Sequence, residues 1–546
     1  MLFVFAALYR FNTLGGAMAG FDNDHFVHYA YARQVAAGEQ PIRDFLSVGL
    51  KGVPPSLTFE ASALAQRWFG DNLRSEAVLT VGAIAVAAVL TFLAAAAVGP
   101  APLAALFTWL SVLIAPKLYN YPKVLVLAAA CLLVVRYAQR PSIARAAALG
   151  ALVAAAFLFR HDYAVYAGVA ALAVMLAGAG SWRRGAGHLA ACGAVTLALL
   201  APSLVHVQRS VGLVPYFQDG FRISGREMQH TDLEWPALTR TNAAGRRVAT
   251  EDLLGVEENA EAWLYYVHLA LPWLALLAVW QTRRRPDPAA RRVTLIALAV
   301  AAIVAMPLLL RGNLAARFGD IGPIAAVLLT GATALAMQEW PGERLAARLL
   351  RVSATLLLVA MTIVAVWTIG DVTRELDTSG WSESPRKLSG QAVRRWTDLA
   401  ALPEAYWTRP PESGSIRAAQ YLNRCTRPSD RVLVMTYAPE VVGLSGRLFA
   451  AGLSRVSPEE FAADDHQRLS VERWSRQSVP IVLTEDAGIY DRSYPSEFRL
   501  LDEYLQSHYE PAGRIEIDGG VVLRVMARRE AVATGTFGDT GLPCFR

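Results

Sequence analysis

Apolar runs recur from the first residue of this chain to about residue 370, and inside a bilayer only structures that satisfy every backbone N–H and C=O internally can form. For runs of this length the solution is an α-helix, which needs about 20 residues to cross the hydrocarbon core. Spans are expected near residues 1–18, 77–98, 102–116, 123–138, 145–159, 163–180, 188–206, 262–280, 293–310, 321–338 and 351–370, about eleven in all. Composition agrees: 54% of the 546 residues are hydrophobic, only 18% are charged, and mean hydropathy is +0.31. Soluble globular domains rarely show that balance. The opening run, Met1–Ala7, has no basic segment before it and no small-residue cleavage site after it, so it reads as a span and not as a removed signal peptide.

The loops between the runs orient them. Cytoplasmic loops are enriched in Lys and Arg, and one alternating set carries them: Arg136, Arg140 and Arg145; Arg183 and Arg184; Arg283 to Arg285 with Arg291 and Arg292; then Arg344, Arg348 and Arg351. These clusters account for the formal net charge of +6 without a nucleic-acid partner, for which the sequence has no motif. With them inside, an odd number of spans puts the loop before Glu76, the 206–262 loop and everything after residue 371 on the other side. The expected setting is the bacterial cytoplasmic membrane, crossed many times, with the C-terminal part periplasmic or extracellular. Cys131 and Cys192 fall in apolar runs; Cys425 and Cys544 would meet an oxidising compartment and could pair if their Cα atoms approach closely enough. No cysteine pair has CxxC spacing, which argues against a cysteine zinc site.

The first outer loop opens with Gly20-Phe21-Asp22-Asn23-Asp24-His25-Phe26-Val27-His28-Tyr29-Ala30-Tyr31-Ala32-Arg33, where acids and imidazoles crowd together. A helix is predicted from Asp22 or Asn23 to Gly38, and a period of 3.6 residues puts Asp24 and His28 on one face with His25 toward the same side. Two readings stand. Asp22 or Asp24 caps the helix by accepting its free N–H groups and favouring its dipole, or a carboxylate here does chemistry. Asp22, Asp24, His25 and His28 are oxygen and nitrogen ligands in close sequence, so a divalent metal is left open. H-E-x-x-H spacing is absent and no further ligand helix is evident, so no metal site and no cofactor is assigned.

Three short outer loops are basic against the topological bias: Lys117 to Lys123, Arg160-His161-Asp162-Tyr163, and Arg311 to Asp320 with Arg317 between. Single Lys and Arg residues at helix ends commonly snorkel to head groups. Three such loops on one face point instead to an anionic ligand, for which a lipid-linked phosphate or pyrophosphate is the natural candidate.

Past residue 371 hydropathy falls, and a Trp-, Ser- and Pro-rich connector leads into alternating helix and strand patterns. Ser415 is expected to cap a helix to Asn423, residues 431–435 and 480–484 to form strands, 497–508 an amphipathic helix, and 514–517 with 521–526 a hairpin across Asp518-Gly519-Gly520. The fold class is therefore a polytopic α-helical membrane protein, residues 1–370, followed by a small soluble α/β domain, residues 371–546. The latter has no phosphate-loop or Rossmann glycine fingerprint, so it is assigned no chemistry.

An acidic motif just after the first span, a helix ending in Ala36-Ala37-Gly38, then Pro41 and Arg43-Asp44-Phe45, resembles the GT-C superfamily of membrane glycosyltransferases. The branch it looks most like includes protein O-mannosyltransferases and lipid A aminoarabinose transferases. The resemblance covers the membrane part and the plan of a trailing outer soluble domain. It implies transfer of a sugar from a polyprenyl-phosphate carrier to a lipid, glycan or protein acceptor at the outer face, with an acidic first-loop residue beside the acceptor. Where that family usually has Asp-Glu, this chain has Asp22-Asn23-Asp24; Asp24 is the preferred match and Asp22 the second. Many members carry another acid in the second outer loop, where this chain has Asn120 and Lys123, so a two-acid mechanism is not carried over. As a sugar transferase, the chain would use Asp24 as base and Lys123, Arg160, Arg311 and Arg317 for the departing phosphate, with His28, His161 and Asp162 orienting them. The alternative is a transporter or flippase of a lipid-linked or anionic substrate; such proteins usually show paired repeats and broken mid-membrane spans, which are not evident here.

Overall fold

Each of the eleven apolar runs falls on a helix of the computed structural model, which describes residues 1–16, 18–45, 57–114, 116–218, 220–221, 235–237, 240–241, 247–248, 254, 257–283, 289–310, 314–338, 344–456, 462–487 and 494–546. Among the described residues eight helices are long and apolar enough to cross a membrane: Leu73–Ala96, Leu118–Gln139, His161–Gly178, Trp182–Ser210, Glu257–Gln281, Ala289–Leu309, Arg317–Met337 and Leu345–Ile369. The other three runs correspond to shorter apolar helices, Leu2–Asn12, Ala101–Leu113 and Ile143–Phe159. The chain is a multi-pass α-helical membrane protein with a small sheet-containing region toward its C-terminus.

Internal contacts divide the chain into two compact units. The first holds Met1–Thr13, Thr80–Ala201 and Thr231–Gln391; the second holds Leu14–Leu79, Pro202–His230 and Ala392–Arg546. Residues 14–79 thus group with the C-terminal residues, which a single boundary at residue 370 would separate.

The first unit is a helical bundle whose interior mixes large side chains with many alanines, including Tyr137, Tyr163, Met175 and Leu298 with Ala167, Ala170, Ala297 and Ala301. Without a hydrophobic drive between helices in lipid, small residues that let backbones approach supply the packing. At Gly150 a Cβ would lie 2.3 Å from the carbonyl oxygen of Cys192, so only glycine permits this approach. The Thr196 hydroxyl then donates to the Gly150 carbonyl at 2.9 Å. Gly319 does the same next to the site described below, since a Cβ there would come within 2.7 Å of the Pro116 nitrogen.

In the second unit, α1 (Asn23–Ala36) and α2 (Leu57–Phe69) come from the segment before Glu76. The C-terminal region adds α3 (Gly414–Cys425), β1 (Arg431–Met435), α4 (Pro439–Leu444), β2 (Leu448–Phe449), α5 (Asp464–Ser475), β3 (Ile481–Ala487), α6 (Arg499–His508), β4 (Tyr509–Glu516) and β5 (Val522–Arg528). Five strands form one mixed sheet in the order β2-β1-β3-β5-β4. β1 runs parallel to β2 and β3, and β5 runs antiparallel to β3 and β4. Gly519 and Gly520 turn the β4–β5 hairpin with φ of 79° and 76°, a conformation that disfavours side chains with a Cβ.

Ser413, not Ser415, caps α3: its side chain accepts from Ile416 N at 3.3 Å. The reason is that Asp518 takes the Gly414 and Ser415 N–H groups, at 3.0 and 3.3 Å, and the Ser415 hydroxyl is drawn to Glu440 at 3.0 Å. Cys425 and Cys544 form a disulfide. One hydrophobic core joins Val27, Ala30 and Tyr31 of α1 with Phe45, Phe59, Val441, Val442, Phe449 and Trp474. Polar ties run along the same seam: Gln34 donates to the Phe449 carbonyl at 3.0 Å and Arg33 to the Gly443 carbonyl at 3.0 Å.

Candidate active site

The helix predicted in the opening motif forms as α1, with Asp22 at its N-cap and Asp24 in its first turn. Asp22 makes no side-chain capping hydrogen bond. Asp24 faces the C-terminal part of its own unit. Its Oδ1 accepts a hydrogen bond from the Tyr437 hydroxyl, and Arg455 Nη1 lies 3.4 Å from the same oxygen. The Arg455 guanidinium also stands over the Tyr437 ring, 5.2 Å from its centroid. The Asp24 side chain nevertheless keeps 39% of its exposure, so a ligand can reach it.

His25 departs from the face expected of it. Its Nε2 lies 3.1 Å from Glu76 Oε2, and both side chains are buried. Ser62 donates to the other oxygen of Glu76, so this group ties α1 and α2 to the helix beginning at Leu73. His28 is half-buried, edge-on to Phe59 with ring centroids 5.7 Å apart. One turn on, Tyr29 and Arg33 bind Asp71 at 2.7 and 2.8 Å. Burial would raise the Asp71 carboxyl, but the Arg33 guanidinium and the Tyr29 hydroxyl outweigh it and hold the group below the usual carboxylate range. Among the described residues no three His, Cys, Asp or Glu side chains converge as a metal ion would require.

The basic residues of the three short loops form a second constellation, within the first unit. Lys123, in the first turn of the helix Tyr121–Gln139, donates to Asp320 Oδ2 at 2.7 Å; both are almost fully buried. Asp320 sits on the helix Leu314–Met337 directly after Gly319, whose lack of a side chain brings that helix onto Pro116. Arg317 Nη1 lies 3.6 Å from the same Asp320 oxygen. Arg160 pairs with Asp162 at 2.9 Å, and its guanidinium lies 6.0 Å from the Tyr163 ring centroid. Arg160 and Arg317 are both close enough to Lys123 to repel its ammonium. Three cations thus meet two carboxylates.

Three buried polar atoms in this constellation have no hydrogen-bond partner among the described residues: Arg317 Nε, the Tyr163 hydroxyl and Asp320 Oδ1. Unpaired buried donors and acceptors cost about 1–3 kcal/mol each, so such a group asks for a ligand or water.

Of the predicted site residues, Lys123, Arg160, Asp162 and Arg317 are brought together. His161 is turned to Phe157, with ring centroids 4.3 Å apart. Arg311 lies outside the described residues. Sequence reading missed Asp320 and Tyr163 as members of the cluster, although both closed the basic segments it singled out. It also missed Tyr437 and Arg455, for which a lone Tyr and Arg in a soluble-looking region offered no signal.

No family model and no curated protein matches the chain. Among solved structures, the chain is similar to ArnT from Cupriavidus metallidurans bound to undecaprenyl phosphate, with 15% identity, 96% of this chain and 97% of that one covered, and a TM-score of 0.49. It is also similar to the oligosaccharyltransferase of Archaeoglobus fulgidus tethered to an acceptor peptide, with 12% identity, 97% and 74% coverage, and a TM-score of 0.47. TM-scores of 0.49 and 0.47 leave the function to be argued from the residues themselves.

Proposed function

We propose that this protein is a membrane glycosyltransferase that moves a sugar from a polyprenyl-phosphate-linked donor to a hydroxyl of a lipid, glycan or protein acceptor, at the outer face of the bacterial cytoplasmic membrane. The observation that carries the reading is the trio of unpartnered buried atoms in the Lys123 constellation, two donors and one acceptor amid a surplus of one positive charge. A sugar phosphate complements all of these. Its phosphate oxygens accept from Arg317 Nε and Tyr163, and a sugar hydroxyl donates to Asp320 Oδ1. Ionisable groups buried among membrane helices are costly and are retained where they serve a ligand or pathway.

In this reading Asp24 takes the proton from the acceptor hydroxyl. The acceptor oxygen bonds to the anomeric carbon, the bond from that carbon to the phosphate oxygen breaks, and the carrier phosphate leaves with the electron pair. Lys123, Arg160, Arg317 and the undescribed Arg311 stabilise the charge that develops there, with Asp162 holding Arg160. His28 and His161 remain neighbours of these groups without a step of their own. A transporter reading has no use for a reachable carboxylate held by two donors. The purified protein, incubated with radiolabelled undecaprenyl-phosphate sugars and membrane extract, is expected to release free undecaprenyl phosphate and to label an acceptor. Movement of intact donor across liposomes with no carrier release would overturn the reading in favour of transport.

A further inference from the structure

The C-terminal region has no chemical motif of its own, yet it supplies two partners of Asp24 Oδ1. Tyr437 lies two residues past the carboxyl end of β1, and Arg455 lies six residues past the carboxyl end of β2, its parallel neighbour. Ligands and functional side chains in α/β sheets gather beyond the carboxyl ends of parallel strands, because the connections there are free to vary while the strands hold them in register.

Several contacts make this presentation rigid. The Thr436 hydroxyl donates to Glu485 of β3 at 2.7 Å, and Val456 N donates to the Thr436 carbonyl at 3.3 Å, so the segments carrying Tyr437 and Arg455 are laced to each other. Ala451 and Gly452 take φ of 59° and 76°, turning the chain back after β2 toward Arg455. On the other side of Tyr437, α4 is pressed against α1: a Cβ on Gly443 would lie 3.1 Å from the Phe26 side chain. Phe26 is two residues from Asp24. A larger residue at 443 would therefore crowd Phe26 and push α4 off α1 by a few tenths of an ångström.

We propose that Tyr437 and Arg455 are positioning residues for Asp24, through which the C-terminal region holds the carboxylate in one orientation toward the acceptor. The inference rests on Asp24 being the base. A phenol donor and a guanidinium on one carboxylate oxygen fix its rotamer. Arg455 acts on Asp24 and also on Tyr437, whose ring it covers. Neither residue is a ligand of the donor phosphate in this reading, so their loss should move turnover and leave donor affinity alone.

The test is a double-mutant cycle on the full-length protein in detergent, with release of carrier from radiolabelled undecaprenyl-phosphate sugar as the readout. Tyr437→Phe is expected to lower kcat by about ten- to a hundredfold, the range for a hydrogen bond to a charged group, with donor KM within about twofold. In the Asp24→Asn background the same substitution is expected to cost nothing further, because a residue that acts through Asp24 has nothing left to act on. Arg455→Lys should retain more turnover than Arg455→Ala, since it keeps the charge. An equal loss from Tyr437→Phe in both backgrounds would make Tyr437 a structural residue and overturn the proposal, as would full activity of Tyr437→Phe. Full activity of Asp24→Asn alone would instead sink the base assignment, so the two failures are distinguishable. Unchanged melting temperatures of Tyr437→Phe and Arg455→Lys keep a folding defect from imitating the expected result.

Discussion

Lys123 Nζ donates to Asp320 Oδ2 at 2.7 Å across 197 positions of sequence, with neither side chain more than 5% exposed. The pair joins two helices of the first unit, with Arg160, Asp162 and Arg317 as its charged neighbours. A buried pair of this kind contributes little net stability when intact, yet it costs about 3–5 kcal/mol when one partner is removed.

Asp320→Asn is therefore expected to destabilise strongly. It leaves the Lys123 ammonium facing Arg160 and Arg317 without its compensating carboxylate. The detergent-solubilised protein should melt many degrees lower, and Lys123→Met in the same chain should return most of the loss by removing the stranded charge. A wild-type melting curve for Asp320→Asn would show that Lys123 is neutralised by other means.

Arg317→Ala removes one unpartnered donor, Nε, and one contact to Asp320 at 3.6 Å, while Lys123 remains on that carboxylate. Charge-assisted hydrogen bonds to phosphate contribute about 1.5–3 kcal/mol, so affinity for undecaprenyl phosphate should fall by roughly ten- to a hundredfold. Tyr163→Phe, which removes the other donor, should weaken binding by a smaller factor, since the phenol is uncharged. Binding measured by displacement of a labelled carrier checks both. Equal affinity in wild type and Arg317→Ala would return this arginine to simple snorkelling.

The membrane helices were legible because each rests on a local property, the length and apolarity of one run, and all eleven expected runs are helical. The helix around Asp24 was legible for a similar reason, its cap residues and Gly38 marking both ends. The face assignment of His25 failed because helical period alone does not say what surrounds the helix; Glu76, 51 residues later, decides where that imidazole points. The same limit hid Asp320, Tyr437 and Arg455. Their roles arise from pairings 197, 413 and 431 residues apart, and no spacing in the chain encodes them. The short α4 and β2 escaped because six and two residues carry too little period to detect.

Glu440 offers a pH-dependent readout of how the second unit is packed. Its carboxyl is 4% exposed, and burial pushes it from 4.5 up to about 7, against the Ser415 hydroxyl that hydrogen-bonds it. Between these values the folded protein keeps a proton that the unfolded chain has released. The resulting stability is fully present below about pH 4.5, declines as pH rises through 7, and is lost above it. At about 1.4 kcal/mol per unit the whole effect is roughly 3 kcal/mol. Glu440→Gln should flatten the fall in melting temperature between acidic and alkaline buffer that the wild type shows. Parallel pH curves for the two proteins would mean that the carboxyl titrates near its ordinary value.

Asp24 separates helix capping from catalysis. The N-cap position belongs to Asp22, and the Asp24 carboxylate is engaged by Tyr437 and Arg455, so little of the helix depends on its charge. Asp24→Asn keeps the shape and an oxygen that can still accept from Tyr437. It loses the ionic part of the Arg455 contact, which at 3.4 Å and partial exposure contributes at most about 1 kcal/mol. It also loses the ability to accept a proton, and a general base typically contributes 10²- to 10⁴-fold to rate. Carrier release should thus drop by about that factor while expression, membrane insertion and melting temperature stay near wild type. Asp24→Ala should add a stability loss by removing the contacts to Tyr437 and Arg455, and Asp22→Asn, the matched control, should keep most of the activity. If Asp22→Asn is the silent variant and Asp24→Asn the inactive one, Asp24 carries the chemistry; the reverse pattern moves the base to Asp22, and full activity in both leaves this motif as the start of a helix.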